Sequence, residues 1–413
     1  MMIIKTYIIE ILILTLISIL LFYSSDPVMY NDSGRYLKSG PNIPPLYPFI
    51  IEIMQSIFKT LNSVVVLQTF FVGLGIIFFT NTVAVNFNLD FFTKILIALF
   101  LFLPIIKFYN NILTEPFGNA FSLLLMSCLI RSTYNLNIKN IVSSTFFAIS
   151  LLLMRDQFMF LYPVILLIYL GLFIIHTSKK KFILLAISFL SIFLIHNSLV
   201  NLNKYIKKNS IENKTLLSSN SGVFKFVYID SIYISTIQDV ELFENQNLRK
   251  TLTEILKRVK DQKASLEYYD GRGHYGLSFA IIKNHSNFLL KDLALQEKIS
   301  LIDLKKKISI ILISKNFVNY IKLIFKKFYD STWLFIFVPF FILIPALINF
   351  LKYKSNFSFI MFFLSIYTLA NHSVVYLFGR VQPRYLIYSD FLILIFIFIA
   401  FSIFLKKEIK NEI

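Results

Sequence analysis

The start of the chain decides the fold, because an apolar run there passes directly into a polar loop. The sequence reads YIIEILILTLISILLFY at residues 7–23 and SSDPVMYNDSGRYLKSGPNIPPLYPF at residues 24–49. The first run is close to the ~20 apolar residues that a helix needs to cross a bilayer. No small-residue cleavage motif follows it, which favours a membrane helix over a signal peptide. The loop then carries four charged residues: Asp26, Asp32, Arg35 and Lys38.

The whole chain has the composition of a membrane protein. Of its 413 residues, 56% are hydrophobic and 17% aromatic, and the mean hydropathy is +0.69. Soluble domains contain about 45–50% apolar residues. Here the long runs of Ile, Leu and Phe predict an all-α polytopic membrane protein with about ten transmembrane helices, interfacial helices and one long outer-face loop region. The predicted spans are 6–23, 63–80, 92–109, 117–134, 141–154, 157–175, 181–200, 333–351, 357–377 and 385–405.

The formal net charge of +18 favours a lipid surface over nucleic acid as the partner. The lysines gather at the ends of the apolar runs and in the long polar segment, where anionic headgroups and the positive-inside rule explain them. The chain has one cysteine, Cys128, and five histidines without the spacing of metal ligands. We therefore predict no disulfide, no metal site and no cofactor.

The spans divide the chain into three predicted segments. Residues 1–200 form an N-terminal membrane module of about seven spans, with a catalytic first outer loop at 24–62. Residues 201–332 form a hydrophilic region with amphipathic helices, and residues 333–413 form a C-terminal membrane module of about three spans. This organisation places one polar region between two membrane modules.

Within the hydrophilic region, helical periodicity favours helices over Asn247–Ala264 and Lys291–Lys307. The stretch YYDGRGHYG at 268–276 is typical of a turn-rich loop. Residues 308–328 interleave lysines with apolar residues, which predicts a helix lying at a membrane surface rather than crossing it. The lysines in that stretch are Lys315, Lys322, Lys326 and Lys327.

Lysine and arginine in the short loops favour a cytoplasmic N-terminus. With that orientation, twelve basic residues of the short segments lie inside and seven lie outside. The hydrophilic region then faces outward, so we expect a multi-pass protein of the cell (inner or plasma) membrane whose active site is on the extracytoplasmic face. The chain has few arginines, and in this topology Arg131 is the only cytoplasmic one. The planar guanidinium of arginine binds phosphate and carboxylate well, so the arginines on the outer face indicate an anion site.

Charged residues from four loops meet on the predicted outer face. Charges near membrane helices usually pair or line a cavity. Ordinary loop solvation, or an ion pair such as Arg155 with Glu115, is the alternative explanation for any one of them. The set comprises Asp26, Asp32, Arg35, Glu115, Arg155, Asp156, Arg380 and Arg384.

The motifs around these charges resemble a known family. NDSGRYLKSG followed by PPLYP, TEP at 114–116, MRDQF at 154–158 and PRYLIYSD at 383–390 occur in an order similar to that of the GT-C glycosyltransferases. The resemblance is to members that use polyprenyl-phosphate sugars, especially the protein O-mannosyltransferase and aminoarabinose transferase group. That group often has a second acid after the first-loop aspartate, whereas this chain has Ser33.

The resemblance implies an inverting sugar transfer from a polyprenyl-phosphate donor to a glycan, lipid or protein acceptor. Asp32 would be the general base, which takes the proton of the acceptor hydroxyl. Arg155, Arg380 and Arg384 would bind the departing phosphate. Six further residues would support the site: Asp26, Arg35, Tyr36, Glu115, Asp156 and Tyr385.

Two other classes remain open at this point. An O-antigen polymerase or ligase would use a pyrophosphate-linked donor and would place its essential residues in the long loop, at Arg249, Arg258, Arg272 and His274. A lipid-sugar flippase or transporter would instead need charges at the bilayer midplane and two related halves. The charges here are at one face, and the polar insertion breaks any symmetry.

Overall fold

The computed structural model describes residues 2–22, 26–30, 32–39, 43–208, 222–378 and 386–412. Within these ranges the chain is all-α, as its composition predicts, with short 3-10 segments and one isolated β-bridge. The α-helices are α1 (Met2–Phe22), α2 (Ser33–Lys38), α3 (Leu46–Phe58), α4 (Asn62–Asn86), α5 (Phe91–Ile106), α6 (Glu115–Tyr134), α7 (Ile138–Met154), α8 (Leu161–His176), α9 (Lys179–Lys208), α10 (Gly222–Tyr233), α11 (Gln246–Asp261), α12 (Gly271–Gln296), α13 (Leu301–Lys315), α14 (Phe317–Tyr353), α15 (Asn356–Phe378) and α16 (Ile387–Glu412).

Among the described residues, four helices are long and apolar enough to cross a membrane. They are Asn62–Asn86, Asp156–His176, Lys179–Lys207 and Asn356–Leu377. A fifth span results if the pair Leu301–Lys315 and Phe317–Asp330, bent by 96°, counts as one broken span. These helices indicate a membrane protein.

The ten predicted spans are therefore only partly matched. Five of the others coincide with apolar stretches of 10–17 residues: Ile9–Leu21, Phe91–Pro104, Ile138–Met154, Phe337–Tyr353 and Ser389–Phe401. Two of these lie in α5 and α7, which have 16 and 17 residues and at 1.5 Å per residue extend about 24–26 Å, less than the ~30 Å hydrocarbon core. The other three are parts of the longer helices α1, α14 and α16.

Polar residues, rather than a short length, separate the remaining predicted span, 117–134, from the four long apolar helices. It forms α6, nearly all of whose residues are buried within the protein, including Asn119, Ser122 and Ser127. A helix enclosed by other helices needs no lipid-facing surface, so it tolerates small polar residues that bond inside the bundle. The Ser122 hydroxyl, for example, lies 3.0 Å from that of Tyr367 on α15.

The chain folds into two compact units. The first comprises Met1–Asn213, Val338–Asn371 and Arg384–Ile413, and the second comprises Lys214–Phe337 and His372–Pro383. In the first unit, α4 packs closely along α6. A Cβ on Gly75 would lie 3.0 Å from the Ala120 carbonyl oxygen, so the absence of a side chain there permits the close approach of the two backbones.

The second unit has its own apolar core, formed by α10 to α13 and the start of α14. Inside it, Lys327 Nζ donates to Asp230 Oδ2 at 2.6 Å, and both side chains are 1% exposed. The Tyr275 hydroxyl donates to the other oxygen at 2.5 Å. Burial raises the pKa of the Asp230 carboxyl, while Lys327 opposes that shift. Together with Tyr275, the pair connects α10, α12 and α14 by polar contacts inside the apolar core.

Helix boundaries in the second unit differ from the predicted ones at four places. The predicted helix Asn247–Ala264 ends earlier, at Asp261. The single helix predicted over 308–328 is divided between α13 and α14, which are bent by 96°. The predicted helix Lys291–Lys307 is interrupted, because α12 ends at Gln296 and Ser300 starts α13 by accepting a hydrogen bond from the Asp303 amide at 3.0 Å. The predicted loop 268–276 is wrong after its first residues, since α12 begins at Gly271.

Replacing Lys327 with Met is expected to destabilise the second unit by about 3–5 kcal/mol, because it leaves the Asp230 charge buried without its cation. The double variant Lys327→Met/Asp230→Asn should recover most of this loss, since Asn still accepts from Tyr275. Hydrogen exchange of the α10 and α12 amides measures both effects. Lys291→Met, at an exposed position of α12, is the matched control. Equal protection in the single and double variants would contradict the expectation.

Candidate functional site

Backbone hydrogen bonds join two loops of the first unit that are far apart in sequence. The first loop (residues 24–45) precedes α3, and the second loop (residues 107–114) precedes α6. The Val28 amide donates to the Asn110 carbonyl at 3.0 Å, and the Ile112 amide donates to the Val28 carbonyl at 3.1 Å. These bonds form the isolated parallel bridge of Val28 with Asn111. They bring the predicted catalytic loop against the start of α6.

Ser33 strengthens the junction of the two loops. Its fully buried hydroxyl donates to the Ile112 carbonyl at 2.8 Å and accepts from the Tyr30 amide at 2.9 Å. Ser33 occupies the position where the resembling family often has a second acid. A carboxylate there would have to be buried against a carbonyl oxygen, so in this chain the position has a structural role.

Gln68 on α4 holds the second loop in place through hydrogen bonds. Its Nε2 donates to the Tyr109 carbonyl at 2.6 Å and to the Asn111 carbonyl at 2.9 Å. Its Oε1 accepts from the hydroxyl of Tyr47 on α3 at 3.4 Å. A single buried amide therefore connects α3, α4 and the second loop, and it orients the beginning of α6.

Glu115 and Arg155 form an ion pair at this place. Glu115 is the first residue of α6, where the helix dipole favours a negative charge. Arg155 follows the last residue of α7 in an extended conformation. Its Nη1 lies 3.1 Å from Glu115 Oε1, and the side chains are 16% and 2% exposed. The guanidinium also contacts the Thr114 hydroxyl at 3.4 Å. Glu115 thus holds Arg155 in a fixed, mostly buried position.

Tyr36 connects this ion pair to the first loop. Its hydroxyl lies beside the Thr114 side chain and within electrostatic reach of Arg155, Glu115 and Asp32. Burial raises the pKa of the Tyr36 phenol, with Arg155 opposing the shift. The phenol therefore stays neutral at ordinary pH and can act as a hydrogen-bond donor.

Asp32 and Arg35 lie on the more open side of Tyr36. Asp32 precedes the short helix α2, and its side chain is 29% exposed. Arg35 is 57% exposed, with its Nη1 3.9 Å from Asp32 Oδ1. An exposed ion pair at this distance is weak. The carboxylate of Asp32 is thus accessible to a solute at the edge of the site.

A basic helix end, which the sequence analysis did not include, also borders the first loop. Lys207, near the end of α9, contacts the Ser39 hydroxyl and lies 3.2 Å from Glu52 Oε1. Lys204, one turn earlier, lies within electrostatic reach of Asp156, as do Arg35 and Arg155. Lys204 and Lys207 follow the predicted span 181–200, which was the signal available in the sequence. Their position beside the first loop could not be predicted, because they lie far from that loop in sequence.

The remaining predicted residues divide into two groups. Asp26 and Asp156 are exposed. Arg380, Arg384 and Tyr385 lie outside the described residues. The structure therefore brings together Asp32, Arg35, Tyr36, Glu115 and Arg155 from the predicted set, with the exposed Asp156 within electrostatic reach of the two arginines.

Within the described part of the chain, no group of three or more His, Cys, Asp and Glu side chains could hold a metal ion. What the site offers is an accessible carboxylate and a fixed guanidinium, with a neutral phenol within electrostatic reach of both. A carboxylate can accept a proton from a hydroxyl, and a guanidinium can stabilise a developing phosphate charge.

Comparisons of the chain with protein-family models, curated proteins and solved structures found no match.

Ser33→Ala is expected to loosen the first loop by about 1–3 kcal/mol, because the Ile112 carbonyl and the Tyr30 amide lose their buried partner. Hydrogen exchange of residues 28–38 should rise accordingly. Gly34→Ala is the matched control, since a Cβ there meets nothing within 4 Å. Unchanged exchange in Ser33→Ala would show that the backbone bridge alone holds the loop.

Proposed function

We propose that this protein is an integral membrane inverting glycosyltransferase of the GT-C type, with about ten spans. It transfers one sugar from a polyprenyl-phosphate donor to a glycan, lipid or protein acceptor on the outer face. The observation that carries the proposal is the arrangement around Tyr36, which joins the Asp32 loop to the Glu115–Arg155 pair.

The proposed reaction needs two groups. The acceptor oxygen attacks the anomeric carbon while the bond from that carbon to the phosphate oxygen breaks. Asp32 takes the acceptor's proton, and the polyprenyl phosphate leaves with the bonding electrons. Arg155 stabilises the charge that grows on the leaving phosphate. Attack from the face opposite the leaving group inverts the anomeric carbon.

The pairing with Glu115 is compatible with a phosphate-binding Arg155. Arg has five donors in a planar fork, and Glu115 Oε1 is contacted through Nη1. The Arg155 side chain is 16% exposed, so it is not fully enclosed by the protein. A buried carboxylate behind a cation fixes its direction, which is what a preorganised anion site requires.

The polymerase or ligase alternative receives less support from its own residues. Arg249 donates through Nη2 to the Glu241 carbonyl at 3.2 Å, and Arg258 pairs with Glu254 at 2.5 Å. His274 lies 2.8 Å from the Lys263 carbonyl through Nε2. These contacts hold local structure in the second unit. The fourth residue, Arg272, has no described side chain.

The proposal is tested by profiling lipid-linked sugars in cells that lack the protein. A glycosyltransferase of this type should leave one polyprenyl-phosphate monosaccharide accumulated and its acceptor unmodified. Re-expression of the wild-type chain should remove the accumulated lipid. Accumulation of a pyrophosphate-linked oligosaccharide would instead support the polymerase or ligase, and accumulation on the cytoplasmic leaflet alone would support a flippase.

The proposed topology has a separate test. Reporter fusions after each proposed span should place Lys179–Lys181 in the cytoplasm and residues 26–38 outside. A reporter result with Lys179–Lys181 outside would overturn the orientation and the outer-face site with it.

A further inference from the structure

The first part of α14 presents an apolar face that no part of the described chain covers. Phe317 is 58% exposed, Val318 66%, Phe325 69% and Tyr329 69%. At 3.6 residues per turn, the four positions fall within about 120° of arc on one side of the helix. Four large apolar side chains on one exposed face form a patch of the kind that marks an interaction site.

The opposite side of this helix segment is buried, which fixes the direction of the exposed face. Leu323 is fully buried in the core of the second unit, and Lys327 forms the buried pair with Asp230. Rotation of the segment would break that ion pair and expose Leu323. The patch is therefore a permanent surface of the folded unit.

Lysines border the patch on one flank. Lys322 and Lys326 are exposed and lie one turn apart. The ammonium of Lys326 lies 5.0 Å from the centroid of the Tyr269 ring, which holds it at the edge of the patch. An open groove of about 420 Å³ runs between the flank and the apolar face. Phe317, Val318, Ile321, Lys322, Phe325 and Lys326 line it.

We propose that this face docks on an anionic bilayer surface, with its aromatic side chains at the headgroup and acyl boundary and its lysines at lipid phosphates. The occupant follows from two observations. An aromatic face flanked by lysines has the charge and polarity of an interfacial helix. After Asp330, α14 also continues into its apolar second part, Phe337–Tyr353, so the patch is tethered next to a predicted membrane span.

Spin labels on the full-length protein test the docking. Cys128 is the single cysteine, so a Cys128→Ser background permits labelling at Phe325→Cys and, independently, at Val318→Cys. The protein is placed in nanodiscs of equimolar phosphatidylcholine and phosphatidylglycerol. Collision rates are measured with oxygen, which enters lipid, and with a water-soluble nickel chelate. Lys250→Cys on α11 is the water-exposed control.

Both patch labels should collide readily with oxygen and poorly with the chelate, at a depth of about 5–10 Å below the phosphates. The Lys250 label should show the reverse. Chelate access equal to that of the control would overturn docking. Shielding from both reagents would mean that protein, from a second copy or another partner, covers the face. A depth at the bilayer centre would mean a broken span. Each of these three results refutes the proposal.

The role of charge is tested by Lys322→Gln and Lys326→Gln in the Phe325→Cys background. In the anionic nanodiscs, each substitution should lower the ratio of docked to undocked label about fivefold. Phosphatidylcholine alone should give a smaller effect. Lys250→Gln and Lys257→Gln, exposed on α11, are the matched controls. If the patch variants and the α11 control variants behave alike in both lipids, an anionic lipid surface is not what this face binds.

Discussion

Asp32→Asn is expected to lower sugar transfer by about 10²–10⁴-fold, because the amide cannot accept the acceptor's proton. The substitution keeps the size of the side chain, and the 3.9 Å approach to Arg35 that it alters is a weak exposed contact. Expression and donor binding should therefore stay close to those of the wild type. Single-turnover transfer in nanodiscs, with donor binding measured separately, distinguishes the two effects.

Two carboxylate variants complete this experiment. Asp261→Asn, at the exposed end of α11, should transfer at the wild-type rate and controls for the loss of one surface charge. Asp26→Asn compares the other first-loop carboxylate. Near-normal turnover in Asp32→Asn would refute the assignment of the base to Asp32, and loss of turnover in Asp26→Asn would then move the assignment to Asp26.

Arg155→Met is expected to have a large effect for two reasons that can be separated. It leaves Glu115 as a buried carboxylate without its cation, which should destabilise the first unit by about 3–5 kcal/mol. It also removes the proposed phosphate contact, which should lower transfer by about 10²–10³-fold. Thermal unfolding and transfer are measured on the same preparation.

The double variant Arg155→Met/Glu115→Gln decides between the two reasons. It removes both charges, so the folded state should recover most of the lost stability. If Arg155 binds phosphate, transfer stays low despite the recovered stability, and donor affinity falls as well. If the ion pair is only structural, the double variant should transfer nearly as well as the wild type, and the phosphate-binding assignment is wrong. Arg155→Lys adds a test of the planar fork.

The helical membrane class was predictable because it depends on composition and run length. The number of spans was less predictable from the sequence. α6 illustrates the reason: its burial inside the bundle permits residues such as Asn119 and Ser122, and burial is not encoded in local sequence. The boundary of α13 was missed for a smaller reason, because the Ser300 cap interrupts an otherwise continuous helical pattern.

The candidate site was predictable as a set of charges but not as an arrangement. The resemblance singled out Asp32, Glu115 and Arg155 from motifs that are local in sequence. Glu115 and Arg155 form an ion pair, but the contacts that bring the Asp32 loop to them are not charged. Ser33 and Gln68 donate hydrogen bonds to backbone carbonyls of a loop that comes later in the chain. A hydrogen bond from a polar side chain to a backbone carbonyl leaves no pattern in the sequence, because every residue has a backbone carbonyl.

The junction between Ser33 and Ile112 also has a consequence for synthesis. The two residues are 79 positions apart, which at about 5–20 residues per second separates their emergence by roughly 4–16 s. During that interval the loop bearing Asp32 has left the ribosome while α3, α4 and α5 are still being inserted. A nascent chain that ends before Ile112 therefore carries the proposed base without a fixed site around it. The proposed sugar transfer can begin only after the chain has passed α7 and Arg155, which follows that helix.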